Sequence, residues 1–374
     1  MAAQPPHGFY KNPPAYMGFV GFVRLNAGII KGDEDFNPGS IINHVPYLIR
    51  ATTANINITQ EISKPDVVDS RYDKSVYQLG PKLVDGTLEF PAVYDRPATA
   101  TVSVFEVLYR YAVTRQQDGN LSDFSLDVKY AASNTFPNQA EFTYGGCIAN
   151  TFQFSVTQSD VVTCSIGIIG LTRDYFGQID PPLRRADDDS CALKGSGDPV
   201  EKGEVGNTRI VTWNDARVEI AGGRLPSTIG GQYVRTFEAN INNDAERFYT
   251  LNTKLFAQAI APRKRDVDGS LTLMGRHFDL SQLALSNEQQ CSESVNVKFG
   301  FEVAATGEAC SSLDSFGVTV PNCIFEIEEL SLTSDIFEST VNWHALPASG
   351  TGVCDPMLTT IGGTTYEYPA QGES

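Results

Sequence analysis

The amino-acid sequence predicts a mainly β fold: two tandem, similar β-sandwich or half-barrel domains, each with one α-helix and a long loop. Three observations carry that expectation. Apolar and polar residues alternate with period two along much of the chain, as in strands with one buried face. Short strings from the first half return in the same order in the second. The 374 residues are 41% apolar and 10% aromatic but only 20% charged, so they can fill sizeable cores.

The repeat begins with Ala54-Asn55-Ile56-Asn57, matched by Ala239-Asn240-Ile241-Asn242. In each copy the alternation at Ala54, Ile56, Ile58 and at Phe237, Ala239, Ile241 predicts a strand. Next, Val84-Asp85-Gly86-Thr87-Leu88 returns as Val267-Asp268-Gly269-Ser270-Leu271. The Asp-Gly pairs read as turns that open the strands Thr87 to Phe90 and Ser270 to Leu273. A helix follows. Val104, Val107, Leu108 and Tyr111 share one helical face, and Leu280, Leu283 and Ala284 predict a shorter helix capped near Asp279.

Strands then resume. Phe124, Leu126, Val128 and Tyr130 alternate, as do Val295, Val297, Phe299, Phe301 and Val303, and Asp127-Val128-Lys129-Tyr130 resembles Asn296-Val297-Lys298-Phe299. Closing strands are expected at Phe152 to Val156 and Ile166 to Ile168, and at Ile324 to Leu332 and Val341 to Trp343. They carry the longest match, Cys147-Ile148 with Ser155-Val156-Thr157 against Cys323-Ile324 with Ser331-Leu332-Thr333. The resulting layout is an arm over 1–46, a first copy over 47–173, a linker over 174–208, a second copy over 209–345 and a tail over 346–374. Arm, linker and tail are rich in Pro, Gly, Asn or Ser.

Composition narrows the function. Twenty-eight Lys+Arg against 45 Asp+Glu leave a formal charge of −17, a surface that repels phosphate backbones. The seven cysteines form no CxxC pair and their number is odd, so reduced thiols in a cytosolic product are expected. No apolar run is long enough to span a bilayer. The four histidines form no HExxH pair, and no Walker A loop, Gly-x-Ser-x-Gly elbow or Gly-x-Gly-x-x-Gly helix start occurs. Glu326 and Glu328 share a strand face, the arrangement of a paired-acid hydrolase, yet no partner histidine or calcium loop accompanies them. Cys147 and Cys323 read as small buried apolar side chains. No catalytic, cofactor or metal site is expected.

The run of segments, from the Ala-Asn-Ile-Asn strand through a long loop, Asp-Gly-[Thr/Ser]-Leu and a helix to a closing Ser-[Val/Leu]-Thr strand pair, resembles the tail tube proteins of tailed bacteriophages. The resemblance covers 47–173 and 209–345. It implies a structural virion protein, assembled in the host bacterial cytoplasm, that stacks as rings around a DNA-ejection lumen. A duplicated chain implies trimeric, pseudo-hexameric rings in place of hexamers. Sheath or tail-tip and tape-measure proteins are the implied partners, with no specific DNA binding and no membrane insertion. The family's long loop falls on Ser63–Leu83 and Arg247–Asp266, which places Tyr72, Tyr77, Arg263, Lys264 and Arg265 at contacts between subunits or rings. Glu326 and Glu328 become acidic lumen residues. A baseplate, tail-tip or fibre-associated binding module is the alternative; it would stop at one ring instead of forming cylinders.

Overall fold

The computed structural model describes residues 20–27, 45–63, 78–94, 103–115, 120–131, 140–176, 209–222, 229–230, 233–250, 257–274, 295–304, 313–330, 338–346, 358–361 and 364–367. The protein is mainly β. In the first half the elements are β1 (Val20–Ala27), β2 (Val45–Ile49), β3 (Thr53–Ser63), β4 (Gln78–Pro91), β5 (Val93–Tyr94), α1 (Val104–Val113), β6 (Phe124–Ala131), β7 (Ala140–Thr157), β8 (Thr163–Gly170) and β9 (Thr172–Phe176). The second half holds β10 (Arg209–Ile210), β11 (Ala216–Gly222), β12 (Ile229–Gly230), β13 (Val234–Asn242), β14 (Glu246–Phe248), β15 (Ala259–Ala261), β16 (Asp266–Met274), β17 (Val295–Ala304), β18 (Leu313–Leu330), β19 (Glu338–Ala345), β20 (Leu358–Ile361) and β21 (Thr364–Glu367).

Two strands of 18 residues, β7 and β18, organise the sheets. The first part of β7 pairs with β6 and β9, and β6 pairs in turn with β1. Its second part pairs with β8 and β13. Gly146, at φ 60°, lies where β7 passes from one set of partners to the other, a backbone geometry that favours glycine. Likewise the first part of β18 pairs with β17 and β20, and its second part with β19. Antiparallel pairing thus runs without interruption through β3-β4-β8-β7-β13-β16-β19-β18, eight strands drawn from both halves.

The apolar positions anticipated by alternation make the core. Ile56, Leu88, Phe152, Phe154, Ile166, Phe237, Ile241, Leu271, Val341 and Trp343 are all buried. They belong to one continuous hydrophobic cluster that spans both halves. The helix lies inside it. Ser103 N donates to Glu106 Oε2 at 2.8 Å, fixing the first turn, and Thr114 N closes the last turn on Arg110 O. Tyr109 packs edge-on against Phe152 of β7 (5.6 Å between centroids) and Phe316 of β18 (5.1 Å). Phe105 sits 5.1 Å from Phe301 of β17.

Two expectations need correction. The Asp-Gly pairs are not turns: Gly86 and Gly269 lie inside β4 and β16. A Cβ on Gly86 would stand 2.7 Å from Ile56 Cγ1, and one on Gly269 would stand 2.5 Å from the Trp343 ring, so close approach of neighbouring strands explains both glycines. The helix does not present a single buried face, since Phe105 through Val113 are all buried, Glu106 and Arg110 among them. It is enclosed by strands of both halves, a tertiary arrangement that its own periodicity does not encode. Within the segment expected as an arm over 1–46, β1 pairs with β2 and β6 and buries Val23 and Leu25. The short Val-Arg-Leu-Asn alternation is diluted by flanking Gly and Pro. The helix expected near Asp279 lies outside the described residues.

Candidate assembly surface

The eight-strand sheet has one apolar and one polar face, because successive side chains point to opposite sides. The polar face carries Asn55 and Asn57 on β3, Asp85 on β4, Glu238 on β13, Asp268 on β16 and Glu326 on β18. Within it, Gln153 Nε2 donates to Glu238 Oε1 at 2.5 Å across the junction between β7 and β13. Asn240 Nδ2 donates to Asp268 Oδ1 at 3.3 Å. Burial pushes the Asp268 carboxyl above its ordinary value, while the Asn240 bond pulls it back. Glu326 Oε2 stands 4.0 Å from His344 Nε2, with 67% of its side chain exposed.

At each end the sheet stops with an unextended strand. Among the described residues β3 pairs only with β4, and residues 324–330 of β18 pair only with β19. Such edges present backbone donors and acceptors to any further strand.

The second-half insertion, between β13 and β16, folds onto the first half. Its β14 and β15 pair with each other. Asp244 takes a left-handed backbone at φ 45°, and its N–H donates to Asn242 Oδ1, so the chain leaves β13 through an Asx turn. That turn aims Asn243 inward. Its Nδ2 donates to Ala112 O at 2.9 Å and Ala149 O at 3.1 Å. Arg265 Nη2 donates to Val113 O, so an amide and a guanidinium occupy the last carbonyls of α1, where positive charge is favoured. Arg247 Nη2 reaches Val84 O at 2.5 Å and Asp85 Oδ1 at 2.6 Å. Arg263 pairs with Glu246 and holds Asp244 at 3.9 Å, and its carbonyl accepts from Arg115 Nη2 at 2.8 Å. Lys264 is exposed.

Of the residues singled out from sequence, Arg263 and Arg265 are therefore engaged within the chain, and Glu326 lies on the polar face. Glu328 lies in β18, but its side chain is outside the described residues, as are Tyr72 and Tyr77. Asn243 and Arg247 escaped the sequence reading. The Asn242-Asn243-Asp244 run directly after a strand was the available signal, since Asn and Asp favour Asx turns.

The chemistry here is that of surfaces. Among the described residues no group of three or more His, Cys, Asp or Glu side chains could hold a metal ion. Cys147, Cys164 and Cys323 are buried free thiols, and burial pushes Cys147 and Cys323 up to about 12. No helix among the described residues is long and apolar enough to cross a membrane. The described residues thus form an antiparallel sheet with a polar face and two unextended edges. The sequence matches the family model described as phage tail tube protein over residues 47–312, and the chain belongs to that family. A comparison with curated proteins gives no match.

Proposed function

We propose that the chain is the ring-forming subunit of a phage tail tube, and that its rings stack into the conduit for DNA ejection. The carrying observation is the eight-strand sheet with an open edge at each end. Pairing those edges between copies removes both and closes a barrel.

Internal pairing supports a duplicated chain. Aligning Asp85-Gly86 with Asp268-Gly269 sets the ladder β3-β4-β8-β7 on β13-β16-β19-β18 strand for strand. The copies number three per ring. With ~4.8 Å between strands and ~40° of tilt, three copies give about 24 strands and a barrel about 48 Å across at the backbone. Side chains of about 5 Å on each wall leave roughly 38 Å, enough for a duplex with its water and ions. Two copies would leave only about 22 Å by the same reckoning.

The polar face lines the lumen, with Glu326, Glu328, Asp85, Glu238 and Asp268 among its acids. An acidic wall disfavours phosphate contacts that would arrest sliding DNA. The loop bearing Tyr72 and Tyr77 and the exposed Lys264 meet neighbouring subunits or rings, while Arg263 and Arg265 hold their own loop within the chain, and sheath or tail-tip and tape-measure proteins complete the tail. Assembly takes place in the host bacterial cytoplasm. Negative-stain electron microscopy of the concentrated protein tests the reading: hollow cylinders of constant width are expected. Dispersed monomers in every condition overturn it, and single rings that never stack turn it toward a tail-tip component.

A further inference from the structure

The junction between β7 and β13 lies inside one chain, yet it joins the last strand of one four-strand ladder to the first strand of the next. Its register is known residue by residue: Ile241 opposes Phe152, Asn240 opposes Gln153 and Asn242 opposes Thr151. The ladders convert that register to the open edges. Asn57 opposes Asp85 as Asn240 opposes Asp268, so Ile58 and Thr59 stand where Ile241 and Asn242 do. Leu88 opposes Ile166 as Leu271 opposes Val341, which aligns β8 with β19. Phe152 opposes Ile166 as Ile327 opposes Val341, so Ile327 stands where Phe152 does, and Glu326 where Thr151 does.

Resting on the ring-forming reading, we propose that β18 of one copy adds antiparallel to β3 of a second copy with Ile327 opposite Ile58 and Glu326 opposite Thr59. Glu326 then accepts a hydrogen bond from Asn57 of that second copy. The diagonal is the one used inside the chain, where Gln153 bonds Glu238, the residue two before its direct partner. Donor and acceptor types agree. Asn55, Asn57 and Thr59 are exposed on the β3 edge and offer amide and hydroxyl donors, whereas Glu326 is an exposed carboxylate. Residues beyond Ile327 are left out of the register, because β18 shifts by one residue against β19 between Ile327 and Leu330.

Directly opposed residues in antiparallel strands hold their Cβ atoms about 4.5–5.5 Å apart, near disulfide range. Glu326→Cys with Thr59→Cys is therefore expected to give covalent oligomers on oxidation, seen on non-reducing gels. Glu326→Cys with Asn55→Cys, four residues out of register, is expected to give none. A second arm uses charge. Glu326→Arg should lower the ring association constant about tenfold or more, and adding Asn57→Asp should restore it.

Bridging in the out-of-register pair, an intrachain bridge, or unimpaired assembly of Glu326→Arg would overturn this register. Wild-type cylinders that persist beside any of those results leave the tube reading standing. Wild-type protein that forms no ring brings down both.

Discussion

Trp343 and Glu238 leave Gly269 no room for a side chain. Overpacking of this kind costs about 1–3 kcal/mol, more where a backbone carbonyl must move. Gly269→Ala should accordingly lower the unfolding free energy by that amount, read as a lower urea midpoint at an unchanged slope. The thiols make a different forecast. Because burial holds Cys147 and Cys323 near 12, almost no thiolate exists at pH 8, where an ordinary cysteine is partly ionised. Iodoacetamide should leave both unmodified in the folded protein and label them only on unfolding, as mass spectrometry of the digested peptides would read. Rapid labelling at pH 8 would show that the long strands open locally. Glycine and cysteine were both visible in the sequence, but for glycine the first reading was a turn. A dipeptide does not reveal how near the neighbouring strand comes.

At the scale of elements, alternation identified β3, β6, β8, β13, β17 and β19, because each buries one face and leaves the other polar. Register was less legible. String matching sets Asn57 on Asn242, whereas the ladders set Asn57 on Asn240, two residues away. A two-residue slip keeps every side chain on its original face, so the letters cannot distinguish the two alignments. The insertion between β13 and β16 was read as a loop for outside contact, and its grip on the first half stayed hidden because several of those contacts, at Val84, Ala112, Val113 and Ala149, end on backbone carbonyls, which have no letter. Arg247, bonded to Val84 O and Asp85, makes that grip measurable. Arg247→Ala should cost about 1–3 kcal/mol in urea unfolding, since a charged donor leaves a part-buried carbonyl without its partner. Arg247→Lys should recover only part of it, a point charge being a poor substitute for the guanidinium fork.

For the whole molecule, mainly β architecture and membership of the tail tube family were both within reach of the sequence. Strand signals, repeated strings and acidic balance pointed the same way. The continuous eight-strand run was not, since pairing of β7 with β13 joins strands separated by some 80 positions and depends on geometry that no local pattern states. Tyr109 shows the same limit: its ring meets Phe152 and Phe316, one residue from each half, so neither half's sequence predicts its full surroundings.

The caps on α1 bear on how the protein is made. Ala112 and Val113 offer their carbonyls to Asn243 and Arg265, which leave the ribosome some 130 to 150 residues later. Until those side chains emerge, the nascent first half holds a bare helix end beside an aromatic cluster missing Phe301 and Phe316. A prematurely terminated chain would stay in that unfinished condition. Synthesis as far as Phe316 is thus needed before α1 is both capped and enclosed.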